Sequence, residues 1–255
     1  MTETVEVVGI PVTAQRYPDA IEAFLSAVKD RRPFRAHFAT VHSIVEATRD
    51  AALQSVLESA DMVAADGMPL VWLSRRRGAP WAERVCGPDV MLSLCDRGRE
   101  IGMRHYFVGG RPGTPEALVE RLGARFPGLA VAGTASPPFG PEDPAETAAQ
   151  IDAINGAMPD VVWIGLGSPK QEFWAAQHAG SLMAPLILPV GAAFDFHSGR
   201  LRRAPRWMQR AGLEWLFRLA VEPGRLFRRY VTTNVRFGYL VLREEVARRL
   251  GRNGR

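Results

Sequence analysis

Lysine is nearly missing from this chain. Of the 32 Lys and Arg in 255 residues, two, Lys29 and Lys170, are lysine, and neither closes a glycine-rich loop. That excludes the cradle in which a P-loop lysine reaches nucleotide phosphates. Cysteine is equally scarce. Cys86 and Cys95 alone make neither a disulfide framework nor a four-ligand metal site, and are expected to be small buried residues in a reducing compartment. The longest nearly apolar run, 183–194, is too short and proline-broken to span a bilayer. The opening MTETVEVVGI lacks a basic segment leading into an apolar core, so the expected location is cytoplasmic. G-x-S-x-G, H-E-x-x-H and the third glycine of the dinucleotide fingerprint are absent too. No Asp-x-Asp pair is present to hold a divalent metal on a diphosphate. A bound diphosphate would have to be neutralised by protein cations, so neither a metal nor an organic cofactor is expected.

What is present is an ordinary globular composition, 47% hydrophobic and 23% charged, ample for a full core. The net charge of +5 hides an asymmetry. Residues 200–255 hold fifteen Arg, no Lys and four Glu, a balance of +11, which leaves −6 for residues 1–199. A basic appendage of this kind meets the phosphates of a nucleotide, an anionic lipid or a nucleic acid, unless it is a solvated helical surface in an Arg-preferring proteome.

Apolar, β-rich segments at 36–41, 62–65, 105–109, 130–133, 161–164 and 186–190 alternate with helical patterns at 44–59, 87–101, 115–126, 144–157 and 169–178. A small irregular strand pair at 5–14 and a helix at 18–29 precede them. The alternation predicts a doubly wound, largely parallel, Rossmann-like α/β sheet of about six strands with a C-terminal helical appendage. The proline-rich loop 137–144 is the candidate for a mobile flap.

Ligands of such sheets lie beyond the carboxyl ends of the strands. The residues found there are Thr40 and His42, Asp66 and Gly67, Gly109 and Gly110, Gly165 and Gly167, and the stretch from Gly191 to Asp195. Each has an ordinary explanation as a turn or cap. The most informative stretch is PDVVWIGLGSPKQEFW, 159–174, in which an unalternating strand runs into a glycine turn and a helix start. Exposed N–H groups and the positive end of a helix dipole suit an anion there. Ser168-x-x-Gln171 also fits a capping box, which would make Gln171 a cap rather than a ligand residue.

In the tail, Pro223 separates two helices, and a final helical pattern covers about 236–250. Arg225 lies three and four residues before Arg228 and Arg229, so these guanidinium groups can share a face. Trp207, Trp215, Phe217, Phe227 and Tyr230 interleave rings with arginine, which fits either a helix at a membrane interface or packing on the main domain. All sheet strands precede Leu201, so the core is expected to fold without the tail.

Taken together, ADG at 65–67, ERVCGPD at 83–89, the GG-x-PG turn at 109–113, GLGSPKQE at 165–172, VGAAFDFHSG at 190–199, and RAPRW, LEWLFRL and EPGRLFRRY in the tail resemble the WecG/TagA/CpsF family of bacterial glycosyltransferases. The resemblance covers about residues 10–230. It implies transfer of a sugar, often N-acetylmannosamine, from a UDP-sugar to a polyprenyl-diphosphate-linked acceptor, with inversion and without a metal. It further implies peripheral attachment of the protein to the inner face of the cell membrane. On the matching positions, Asp66 is implied as general base, Thr40, Arg84 and Gln171 as pocket residues, Asp195 as a neighbour of the nucleotide, and Arg218, Arg225 and Arg228 as tail arginines completing the site. Residues 1–199 would form the nucleotide-sugar-binding catalytic domain, and residues 200–255 the part that closes the site and touches membrane. Where the family has Thr-x-Asn this chain has Thr40-Val41-His42; an imidazole has a different reach and can become charged, which bears on the sugar or acceptor. Two other classes compete, a non-catalytic nucleotide-binding module and an RNA-binding protein. The first gives no reason for Asp66; the second lacks an RNP or KH pattern, so no nucleic-acid partner is expected. Oligomeric state is left open, a homo-oligomer included.

Overall fold

The computed structural model describes residues 3–137, 140 and 143–253, without the side chains of Arg225 and of 251–253. A hairpin of β1 (Thr4–Val7) and β2 (Ile10–Thr13) leads into α1 (Tyr17–Lys29), β3 (Phe34–Ala39), α2 (Val41–Ala47), α3 (Ala51–Glu58) and β4 (Met62–Ala65). Then come α4 (Met68–Arg76), α5 (Gly87–Arg97), β5 (Arg104–Gly109), α6 (Thr114–Arg125), β6 (Ala130–Ala135) and α7 (Pro144–Gly156). β7 (Val161–Gly165), α8 (Lys170–His178), β8 (Leu186–Pro189) and α9 (Ala193–His197) complete the alternation, and α10 (Arg206–Arg210), α11 (Glu214–Val221) and α12 (Pro223–Asn253) follow.

The eight strands among the described residues join one sheet in the order β1-β2-β4-β3-β8-β7-β5-β6. Among the described residues only the β1–β2 pairing is antiparallel. The six expected strands are all present. The sheet is larger than six because β2 pairs with β4 in parallel and carries the hairpin into the edge. Strands such as MVAA and LILP are buried at every position, which requires helices on both faces. One face packs Phe107, Trp163 and Leu188 against Phe24, Met91, Leu94, Leu118 and Phe194 from α1, α5, α6 and α9. On the other, Tyr106, Val162 and Ile164 meet Ile154 and Trp174 from α7 and α8. There too, Val63 and Ala65 join the hairpin, α2, α3 and α4. Each fully buried Leu, Ile or Phe side chain contributes roughly 1.5–3 kcal/mol.

The helical pattern at 44–59 is broken in two because Asp50 caps α3, its carboxylate accepting from the N–H groups of Ala52 and Leu53. Pro223 does start a helix, but α12 runs unbroken to Asn253 instead of stopping before a separate one. The Thr232-Thr233-Asn234 stretch is weak helix sequence, and tertiary contact overrides it: Thr233 is buried and Thr232 bonds its hydroxyl back to the carbonyl of Arg228. Further along, Phe237 and Leu240 of α12 enter the same cluster as the hairpin and α4. There the Arg77 side chain, 4% exposed, pairs with Glu244 at 3.0 Å and Glu245 at 2.6 Å. The tail therefore contributes Phe237 and Leu240 to the core. The proposed flap at 137–144 includes Pro138, Phe139, Pro141 and Glu142, which lie outside the described residues.

Candidate active site

Parallel pairing brings the loops after β3, β4, β5, β7 and β8 to one edge, and backbone bonds tie them together. The N–H groups of Asp66 and Gly67 donate to the Ala39 carbonyl at 2.9 and 3.2 Å, and Gly110 N–H donates to the Gly165 carbonyl at 2.9 Å. Asp66 thus stands in a rigid turn between the end of β4 and Gly67, the N-cap of α4. Its carboxylate is about one fifth exposed. Burial pushes it above the usual aspartate range, against the pull of Arg84.

Arg84 holds that acid. Its Nε donates to the Asp66 carbonyl at 2.5 Å and its Nη2 to Asp66 Oδ1 at 2.9 Å. The same Nη2 lies 2.8 Å from Glu214 Oε2, at the first turn of α11. Glu214 Oε1 in turn accepts from Arg203 Nε at 3.1 Å, and Arg203 pairs with Asp89, which also accepts from the Cys86 thiol at 2.9 Å. The result is an alternating row, Asp66, Arg84, Glu214, Arg203, Asp89, in which each arginine lies between two carboxylates. Burial would lower the pKa of Arg84, but Asp66, Cys86 and Glu214 outweigh it and keep the guanidinium charged. Arg84 is therefore a partner of the implied base, with little of its fork left for a ligand. Cys86 is buried as expected, but it belongs to this polar row and not to an apolar cluster.

Gln171 is not a cap. Helix α8 begins at Lys170 with Pro169 as N-cap and no side-chain capping bond. Proline offers no N–H for the box to close on. Instead Gln171 is buried, its Oε1 accepts from Gly167 N–H at 3.2 Å, and its Nε2 donates to Glu172 Oε1 at 3.2 Å. The amide thus occupies the Gly167 N–H that the glycine turn was expected to offer to an anion. Glu172 is buried as well, and burial raises its pKa above the usual glutamate range.

The glycines divide by cause. A Cβ on Gly109, whose φ is +116°, would lie 2.6 Å from the Gly165 carbonyl carbon, and one on Gly165 would lie 2.7 Å from the Phe194 ring. Both are small because β5, β7 and α9 crowd together. Gly167, at φ +80°, has nothing within 4 Å of where a Cβ would stand and faces open space. Thr40 caps α2: its Oγ1 accepts from Ser43 N–H at 3.2 Å, while Thr40 N–H donates to Ser43 Oγ at 2.8 Å. Asp195 is half-buried in α9 with no ion pair among the described residues.

Helix α12 packs on α2, so His42 comes under the tail. Burial lowers its pKa, and the charge of Arg229 lowers it further. Of the implied tail arginines, Arg218 lies 5.7 Å over the Phe196 ring with a buried Nε that has no acceptor among the described residues. Arg228 is exposed, and the Arg225 side chain lies outside the described residues. Arg229, whose guanidinium lies 5.7 Å over the Tyr230 ring, is near enough for its charge to act on His42. Sequence reasoning missed Glu214, Arg203, Asp89 and Glu172. The signal for Glu214 was its place four residues before Arg218, on the same helical face.

A doubly wound sheet with charged loops gathered at its carboxyl edge defines the general class of α/β proteins that take a ligand there. Within it, the chain belongs to the glycosyl transferase WecG/TagA/CpsF family, whose pattern it matches over residues 5–251. Among curated relatives, it is similar to the N-acetylglucosaminyldiphosphoundecaprenol N-acetyl-beta-D-mannosaminyltransferase of Bacillus spizizenii. The two are 33% identical over 180 residues, 71% of this chain and 68% of that protein.

Proposed function

We propose that the protein transfers a sugar, N-acetylmannosamine or a related hexose, from a UDP-sugar to a polyprenyl-diphosphate-linked acceptor, in one inverting step that needs no divalent metal. The observation that carries this is the half-buried Asp66 carboxylate at the sheet edge, its orientation fixed by Arg84. The acceptor hydroxyl attacks the anomeric carbon, Asp66 takes its proton, and the bond from that carbon to the UDP oxygen breaks. General-base help of this kind is worth on the order of 10²- to 10⁴-fold. The departing UDP gains charge, which Arg218 and the neighbouring tail arginines neutralise in place of a metal. The acceptor and sugar follow the name of the Bacillus relative.

The acceptor is lipid-bound, so the protein must meet a membrane. Among the described residues no helix is long and apolar enough to cross one. Attachment to the inner face would use the tail, where Phe227, Val231, Val235, Tyr239, Leu242, Val246 and Leu250 form one exposed apolar row along α12 between arginines. Purified protein incubated with a panel of UDP-sugars and a short-chain lipid-diphosphate acceptor tests the proposal. Release of UDP together with a glycosylated lipid is expected from one donor. UDP binding with no transfer from any donor would reduce the protein to a nucleotide-binding module.

A further inference from the structure

Helix α11 reaches the candidate site with two side chains one turn apart. Arg218 lies over Phe196 with its Nε unpartnered, whereas Glu214 turns to the Asp66 side and is 12% exposed. The contact between Glu214 Oε2 and Arg84 Nη2, 2.8 Å, is an ion pair without hydrogen-bond alignment. The aligned N–H bond of that nitrogen goes to Asp66. Arg84 therefore gives its hydrogen bond to one carboxylate and shares its charge with two.

We propose that Glu214 is a positioning residue through which docking of α11 divides the charge of Arg84 and so keeps Asp66 a competent base. The inference rests on the reading of Asp66 as that base. With α11 away, Arg84 would face Asp66 undivided, the carboxylate would be held more firmly as an anion, and it would accept a proton less readily. The helix that supplies an arginine for the leaving group would also activate the acid that starts the reaction. Neither group would be in place while α11 is undocked, which limits wasteful hydrolysis of the donor. Three charged groups act electrostatically on Asp66: Arg84 from the segment before α5, Arg203 from the segment between α9 and α10, and Glu214 from α11; the nearby Cys86 thiol is kept neutral by burial. Among these, Glu214 is the one whose negative charge arrives with α11.

The test uses the full-length protein with Glu214→Gln, which keeps the shape and removes the charge, and Glu214→Asp, which keeps the charge on a shorter arm. Carbon-13 NMR follows titration of the Asp66 carboxyl, and kcat is measured against pH in parallel. In Glu214→Gln the Asp66 pKa is expected to fall by on the order of one pH unit. The acidic limb of kcat should fall with it, and plateau kcat should drop several-fold, while UDP affinity is unchanged. Glu214→Asp should titrate close to wild type. An Asp66 carboxyl that titrates alike in wild type and Glu214→Gln overturns the inference, as would a Glu214→Asp variant that behaves like Glu214→Gln. If Asp66 shifts while the kcat limb stays, the positioning contact stands and the assignment of Asp66 as base fails.

Discussion

Changing Gln171 to Glu separates a cap from a buried amide link. A capping box would accept Glu in place of Gln, so the sequence pattern predicts almost no loss of stability. The structure predicts otherwise. The Gln171 Nε2 donates to Glu172 Oε1 at 3.2 Å, and both side chains are buried. In Gln171→Glu that donor becomes a second carboxylate oxygen facing the first. The lost bond leaves a buried acceptor unsatisfied, about 1–3 kcal/mol, and like charges add to it, for a total of about 2–4 kcal/mol. For a chain of this size that is a fall in Tm of about 5–15 °C. The sign of the pH dependence follows from the raised Glu172 pKa. An acid whose folded pKa is raised stabilises the fold below its unfolded pKa, about 4.3, and loses that contribution as pH rises through the folded value. The deficit of Gln171→Glu against wild type should therefore be full at pH 7.5 and shrink toward pH 4. Thermal and urea melts of both proteins at the two pH values decide it. Coincident melts at pH 7.5, or a deficit independent of pH, would refute the amide link.

The glycines give a second prediction, because their causes differ. Gly109→Ala meets the Gly165 carbonyl carbon at 2.6 Å in a left-handed conformation, and should cost about 2–5 kcal/mol. Gly167→Ala carries only the backbone strain and should cost about 1–2 kcal/mol; equal losses in urea titration would contradict the crowding of β5 against β7. A third concerns the tail. Arg77→Met strips the partner from Glu244 and Glu245 and should cost roughly 1–3 kcal/mol, since the freed carboxylates reach solvent, with early proteolytic release of α12. Wild-type stability and digestion in that variant would mean that α12 is not held on the hairpin and α4.

The sheet was legible because unalternating strands and glycine turns are local signals: MVAA, VVWIG and LILP read as buried parallel strands and are so. Helix α4 was not read, since Gly67 and Pro69 resemble a turn until the N-cap is seen. The place of Asp66 was legible too, as a residue following a strand. The partners of Asp66 were not. Glu214 is 148 positions further along the chain, and only tertiary packing of α11 brings its carboxylate to Arg84. Of the two roles the sequence left open for Gln171, the cap falls away because the conformation puts a proline at the cap although the spacing of a capping box is met. That the charge of Arg229 acts on His42 was not legible either, because it depends on how α12 packs on α2.

The measurement closest to the central claim is turnover of Asp66→Asn. Asparagine keeps the size and the contact with Arg84 but cannot accept the acceptor's proton. The variant should melt within a few degrees of wild type and bind UDP with unchanged affinity, while kcat falls by about 10²-fold or more and its acidic limb disappears. Turnover near that of wild type in a folded, UDP-binding Asp66→Asn protein would contradict the account.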